Sequence, residues 1–414
     1  MNNVKERNSS YELMRIVSMF LIVLYHVIVH GKMIENCENA GLKILLELIK
    51  FFTLVHVNSF ILVTGYFQIN SKFNQKKLWS LIGSNWFYRL AIMILFSIFE
   101  IVNLDKVTMF KEGFPINLNE YWFFQNYLLL YCLIPFINKG ILNMNKKTFQ
   151  KMIIVMFIIF SIVPAITGGG FFFNNGFSLY QFIFLYIIGA YLRKYPIDKS
   201  YLFKIMSKNM YKMVLITIFF VCLISNYVLY SYADSISWIN SGFKTISNYI
   251  RWTSLNYSCP FVIIQSIAYF LYFGTLDLKN KFINKIASLT FGIYLIHDNN
   301  FMRKNIYVWL KIDNGPIYSY NFIIYMLVIA IVIFVVCMLI EFIRQTCCKK
   351  IQNLKLIQNL KDKYSPEKSA FKIVEYSLPF LDIRCSNLIS PLVKISLAND
   401  LVIFFFKVIN NLLS

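Results

Sequence analysis

Charge is scarce in this chain of 414 residues: only 15% are Asp, Glu, Lys or Arg, and just 20 of those are acidic. A soluble domain carries about a quarter charged residues and about 45–50% apolar ones. Here 58% are apolar, 18% are aromatic and the mean hydropathy is +0.57. Too little polar surface exists to keep such a chain in water, which excludes a soluble globular enzyme. Catalytic and nucleotide motifs are also missing. There is no Gly-x-Ser-x-Gly elbow, no Walker loop and no GxGxxG turn. No spaced Cys, His, Asp and Glu set suggests a metal site, so no metal is expected. The 41 Lys and Arg lie between apolar stretches rather than on a basic soluble domain, which excludes nucleic acid as a partner.

What is present is a series of apolar stretches near the length needed to cross a bilayer, about 20 residues. Ten can be read, at 13–30, 47–67, 78–102, 121–137, 152–168, 177–192, 210–232, 257–276, 286–301 and 321–343. The ninth is interrupted at Asp298. The expectation is an all-α, polytopic membrane protein of about ten transmembrane helices in the cell membrane, with both termini cytoplasmic. Positive charge near the span ends sets that orientation. The segments placed inside hold 17 Lys and Arg, including Lys72, Lys76, Lys77, Arg193 and Lys194, against 9 outside. Much of the net charge of +21 is therefore topological. The eight cysteines are scattered among spans, the reducing side and the outer face, and imply no disulfide framework. Residues 1–343 form the expected membrane domain. Residues 344–414 form a basic cytoplasmic tail containing Ile351-Gln-Asn-Leu-Lys355, repeated from Ile357 to Lys361, whose apolar spacing suits an amphipathic helix on an anionic leaflet.

Only four histidines occur, His26, His30, His56 and His297, and all fall in or at the ends of apolar stretches. Ionisable side chains inside a bilayer are costly and mark functional sites by default; the competing reading is hydrogen bonding between packed helices. On the first stretch Arg15 and His26 are eleven residues apart, about three helical turns plus about 20°, or about 16 Å along the axis. They share a face at different depths. Glu12 precedes Arg15 by one turn and can pair with it, and His30 extends the stripe beyond His26. Arg15 alone also fits a snorkelling helix-end arginine.

These residues carry a resemblance. Arg15 followed by His26 is similar to the signature of the acyltransferase 3 family of integral membrane enzymes. Further similarities follow in order: Phe60 to Phe67 with Thr64-Gly65-Tyr66, Tyr121-Trp122 through Tyr131 to Pro135, Gly189-Ala190-Tyr191, and Thr290-Phe291-Gly292 through Tyr294 to His297-Asp298. The resemblance spans about residues 10–343. It implies transfer of an acyl group, usually from cytoplasmic acetyl-CoA, to a hydroxyl of an extracytoplasmic carbohydrate such as a surface or capsular polysaccharide. Where many members show an arginine pair after the second helix, this chain has Lys76 and Lys77, with Arg89 deeper in the third. These three are the candidate donor contacts, although lysine lacks the bidentate fork of arginine and positive-inside loops look the same.

Acyl transfer to an alcohol needs a base, a place for the oxyanion and a positioned donor. His26 is the candidate base or acyl carrier, Arg15 the candidate electrostatic partner, and His297 the third candidate catalytic residue. The candidate substrate contacts are Glu12 at the inner end and, grouped at the outer end by the alternating topology, His30, Trp122, Gln125, Asn126 and Asp298. Trp122 fits an interfacial belt as well as a sugar-stacking platform. His56 reads as a core or cavity histidine. A transporter or flippase for a lipid-linked glycan is the rival class, since ten helices with buried His and Arg also suit a solute pathway; a membrane scaffold is a lesser one.

Overall fold

A computed structural model describes residues 8–102, 105–114, 120–167, 176–196, 206–239, 249–251, 253–310, 312 and 317–352, with backbone alone at 234–239 and 351–352. The described residues are helical. One isolated bridge, Cys37 with Ile317, is the extended pairing among them. In order the helices are α1 (Ser9–His30), α2 (Ala40–Thr53), α3 (Val55–Gln68), α4 (Gln75–Ile98), α5 (Lys106–Gly113), α6 (Trp122–Leu142), α7 (Lys146–Phe157), α8 (Val163–Thr167), α9 (Leu179–Lys194), α10 (Lys208–Ile239), α11 (Pro260–Gly274), α12 (Lys281–Ala287), α13 (Thr290–His297), α14 (Asn300–Trp309) and α15 (Asn321–Gln352). A π-helical turn, Ile158–Ile162, joins α7 to α8.

Six helical segments among the described residues are long and apolar enough to cross a membrane: Ser9–His30, Ala40–Gln68, Gln75–Ile98, Lys146–Thr167, Lys208–Ala233 and Asn321–Lys350. Three more of the expected stretches, at 121–137, 177–192 and 257–276, coincide with α6, α9 and α11. The ninth differs. Residues 286–301 do not form one helix but the end of α12, the eight residues of α13 and the start of α14. Asn280 caps α12, accepting from the N–H groups of Phe282 and Ile283, and Asn299 caps α14 in the same way, accepting from Phe301 and Met302. Asparagine at these positions satisfies orphan helix-end donors and so favours new helix starts over continuation. The expected boundary at 344 is not a helix end, because α15 runs to Gln352. The repeat at 351–361 otherwise lies outside the described residues.

The described residues fall into two compact units, one drawn from Met1–Phe73 and Leu118–Met338, the other from Asn74–Asn117 and Leu339–Ser414. In the first, α1 packs against α3, α11, α12 and α13, and α3 packs against α9. The α3–α9 crossing is close because both contact points are glycine. A Cβ at Gly65 would stand 2.1 Å from the Tyr186 carbonyl oxygen, and one at Gly189 would stand 2.2 Å from that of Leu62. Small residues allow such backbone approach between membrane helices. The start of α1 is pinned to the 278–280 turn: Ser9 Oγ accepts from the Asn280 N–H at 2.8 Å, and Ser10 Oγ accepts from the Leu278 N–H at 3.1 Å. Helix α1, which carries the candidate catalytic face, is thereby held at its N-terminal end and along its length.

The second unit is organised by buried charge. On α4, Arg89 is 1% exposed and donates through Nε to Glu112 at 3.1 Å and through Nη2 to the Lys111 carbonyl at 2.7 Å. Glu341 on α15 accepts from Tyr88 at 2.5 Å and from Arg344 at 2.7 Å through both oxygens.

Candidate active site

At the C-terminal end of α1, His26 meets the end of α13. Its Nδ1 lies 3.1 Å from His297 Nε2, with ring centroids 5.2 Å apart. The other ring nitrogen of His297, Nδ1, is 2.7 Å from the Ile293 carbonyl oxygen. A carbonyl only accepts, so His297 carries its proton on Nδ1 and, as a neutral ring, presents a lone pair at Nε2. His26 must then donate from Nδ1. Its Nε2 is left with a lone pair, the state a general base or nucleophile requires. The tautomer of one histidine is thus set by a backbone carbonyl through the other.

Asp298 follows His297 but faces a different group. With φ −95° and ψ 5° it ends α13, and its Oδ1 stands 3.8 Å from His26 Nδ1 and 3.3 Å from Arg303 Nη1. His30, one turn beyond His26, stacks at a tilt with ring centroids 5.0 Å apart and also lies 5.8 Å from Tyr307 of α14. His26, His30 and Asp298 offer ligand atoms within 4.8 Å of one another. Two imidazoles and a carboxylate are competent metal donors, but Arg303 already supplies a cation to this carboxylate.

The helix break at 297–300 is latched by α6. Tyr121, in the left-handed region at φ 51°, donates its hydroxyl to the Leu295 carbonyl at 2.7 Å and accepts from Asn299 Nδ2 at 3.0 Å. Asn299 Oδ1 caps α14, so one buried asparagine ties the end of α13, the start of α14 and Tyr121 together. That junction places His297, Asp298 and Arg303 around His26.

The remaining candidates sit elsewhere. Arg15 pairs with Glu12 at 2.9 Å near the N-terminal end of α1, about 16 Å along the helix from His26. Gln125 donates to the Glu120 carbonyl at 2.5 Å and Asn126 to those of Trp122 at 2.9 Å and Phe177 at 3.4 Å. The Gln125 amide thus serves the turn before α6, and the Asn126 amide ties the first turn of α6 to the segment before α9. Trp122 stacks on Tyr257 at 5.8 Å and meets Phe177 edge-on at 4.5 Å. Tyr257 in turn donates to His56 Nε2 at 3.1 Å, because His56 Nδ1 is engaged by the Thr53 carbonyl. His56 is therefore a fully bonded buried histidine. Lys76 and Lys77 are exposed at the start of α4 in the second unit, and Arg89 is bound to Glu112 as described. Sequence reasoning missed Arg303, counted only as a loop charge, and Asn299, whose capping position just before a helical run was the available signal.

Residues 8–342 match the model of the acyltransferase domain family. The match covers most of the chain, and the protein belongs to this family. Its general activity is accordingly acyl transfer, carried out by a protein whose apolar helices are those of a membrane protein. No curated protein and no solved structure gives a match.

Proposed function

We propose that this protein is a multi-pass O-acyltransferase of the cell membrane that passes an acetyl group from cytoplasmic acetyl-CoA to a hydroxyl of an extracytoplasmic carbohydrate, a surface or capsular polysaccharide. The carrying observation is the 3.1 Å contact between His26 and His297, which leaves His26 Nε2 unprotonated. In this reading ten crossings put both termini inside, the Glu12–Arg15 end of α1 at the cytoplasmic face and the histidine cluster near the outer face. Residues 1–343 are the catalytic domain.

The acceptor hydroxyl gives its proton to His26 Nε2 as its oxygen attacks the thioester carbonyl carbon. The carbonyl electron pair moves onto oxygen. On collapse of that tetrahedral intermediate the C–S bond breaks, and the CoA thiolate takes the proton from His26. The products are an ester and free CoA thiol. During attack His26 is an imidazolium, which the Asp298 carboxylate stabilises electrostatically, and Arg303 holds that carboxylate in place. Arg15 supplies positive charge toward the anionic donor, while His30 and Trp122 flank the acceptor.

The test is transfer of labelled acetyl from acetyl-CoA to polysaccharide by the purified protein in proteoliposomes. Wild type should form labelled ester and His26→Ala should form none. Equal labelling by both would overturn the assignment, and glycan movement without labelling would favour a flippase.

A further inference from the structure

A second polar cluster adjoins His26 and has no part in the proton transfer just described. Asn58 of α3 and Gln181 of α9 both donate their side-chain amide groups to one atom, the Tyr257 carbonyl oxygen, at 3.0 and 3.2 Å. They are 0% and 2% exposed. Their amide oxygens, Asn58 Oδ1 and Gln181 Oε1, have no hydrogen-bond partner. Exchanging amide N and O would not relieve this, because it would set oxygen against oxygen at Tyr257. Leaving two buried acceptors unmatched is costly, so their retention around one carbonyl points to a ligand that donates.

Aromatic rings wall the cluster. Trp122 and Phe177 both pack on Tyr257, with Phe177 and Tyr257 centroids 5.0 Å apart. The chain is built to hold Phe177 there: Gly176, at φ 85°, passes so close that a Cβ would lie 2.7 Å from the Ser258 N–H. Tyr25 links the cluster to the base, its ring centroid 6.0 Å from that of His26 and 5.3 Å from that of His56.

We propose that Asn58 and Gln181, with Tyr257 and Trp122, form a subsite for the hydroxyl-rich acceptor carbohydrate next to the residue it is acylated on. Sugar hydroxyls donate to the two amide oxygens, and aromatic rings cover the apolar face of the sugar. This rests on the acyltransferase reading and adds to it the acceptor's binding residues, which differ from the Gln125 and Asn126 expected from sequence.

The experiment uses the full chain in nanodiscs, acetyl-CoA as donor, and alkali-treated, hence O-deacylated, surface polysaccharide of the source cell as acceptor. Gln181→Met and Asn58→Leu keep size while removing the acceptor atoms. The acceptor KM should rise about five- to tenfold in each, with the acetyl-CoA KM shifting less than about twofold. Unchanged acceptor KM, or an equal rise in both KM values, overturns the subsite. Thermal melting separates this from failure of the activity itself. If wild type forms no ester, acyl transfer falls, but a polysaccharide-induced rise in melting temperature that is lost in Gln181→Met still supports the subsite. An equal rise in both proteins refutes it. Should Asn58→Leu fail to fold, Gln181→Met and Trp122→Phe decide alone.

Discussion

His297→Ala separates a base that is present from a base that is correctly protonated. The substitution leaves His26, Asp298 and Arg303 intact and removes the acceptor 3.1 Å from His26 Nδ1. Two effects follow. His26 loses a hydrogen bond with a net value of about 0.5–1.5 kcal/mol, and its Nδ1–H becomes a buried donor without a partner, costing about 1–3 kcal/mol. Only the Asp298 carboxylate then remains near Nδ1, at 3.8 Å and beyond hydrogen-bond distance, so the proton is held there less firmly and the lone pair on Nε2 is no longer fixed. The expected loss in kcat is about 10- to 100-fold, since each 1.36 kcal/mol is tenfold in rate. The assay is the single-turnover rate of acetyl transfer from acetyl-CoA at saturating acceptor, in nanodiscs, on protein whose gel-filtration profile matches wild type. His297→Gln is the control, because its carboxamide oxygen can accept from His26 and should recover part of the rate. A His297→Ala rate within about twofold of wild type would refute the tautomer argument. So would a His297→Gln variant no faster than His297→Ala.

Other substitutions test neighbouring parts of the account. At 3.8 Å from His26 and an effective dielectric of about 20, the Asp298 carboxylate attracts an imidazolium by about 4 kcal/mol. With part of that offset by Arg303, Asp298→Asn should lower kcat about 10- to 100-fold; unchanged kcat would remove the carboxylate from the mechanism. Gly65→Ala should sharply reduce the yield of folded protein, seen by gel filtration in detergent, because its Cβ would sit 2.1 Å from the Tyr186 carbonyl and overpacking costs about 1–3 kcal/mol or more. Arg89→Met should destabilise by about 3–5 kcal/mol by stranding Glu112, with the Arg89→Met, Glu112→Leu double variant recovering most of it in thermal melts. If the double variant instead melts normally but has a raised acetyl-CoA KM, Arg89 contacts the donor after all.

Helix periodicity made α1 readable, because an apolar stretch with Arg15 and His26 on one face requires only a 3.6-residue repeat. The same logic placed His297 near His26, since alternating crossings return their ends to the same depth. Depth does not identify partners. Gln125 and Asn126 share that depth yet spend their amide groups on nearby carbonyls, a local competition invisible in the pattern. Arg89, a candidate donor contact from sequence, donates to Glu112, 23 residues away, a pairing that no local pattern displays. The ninth stretch looked continuous because hydropathy averages over caps; Asn299 and the Tyr121 latch, 178 residues from it, divide it. His56 reads as core from sequence and is fully bonded in the fold. Its partner Tyr257, 201 residues away, opens onto the cluster proposed to receive the sugar.

The most direct measurement is NMR of the surface glycan from cells carrying wild-type or His26→Ala protein at equal expression. The account predicts the same amount of polymer in both, with O-acyl signals present for wild type and absent for the variant. Acyl signals that survive His26→Ala, or loss of the polymer itself, would contradict it.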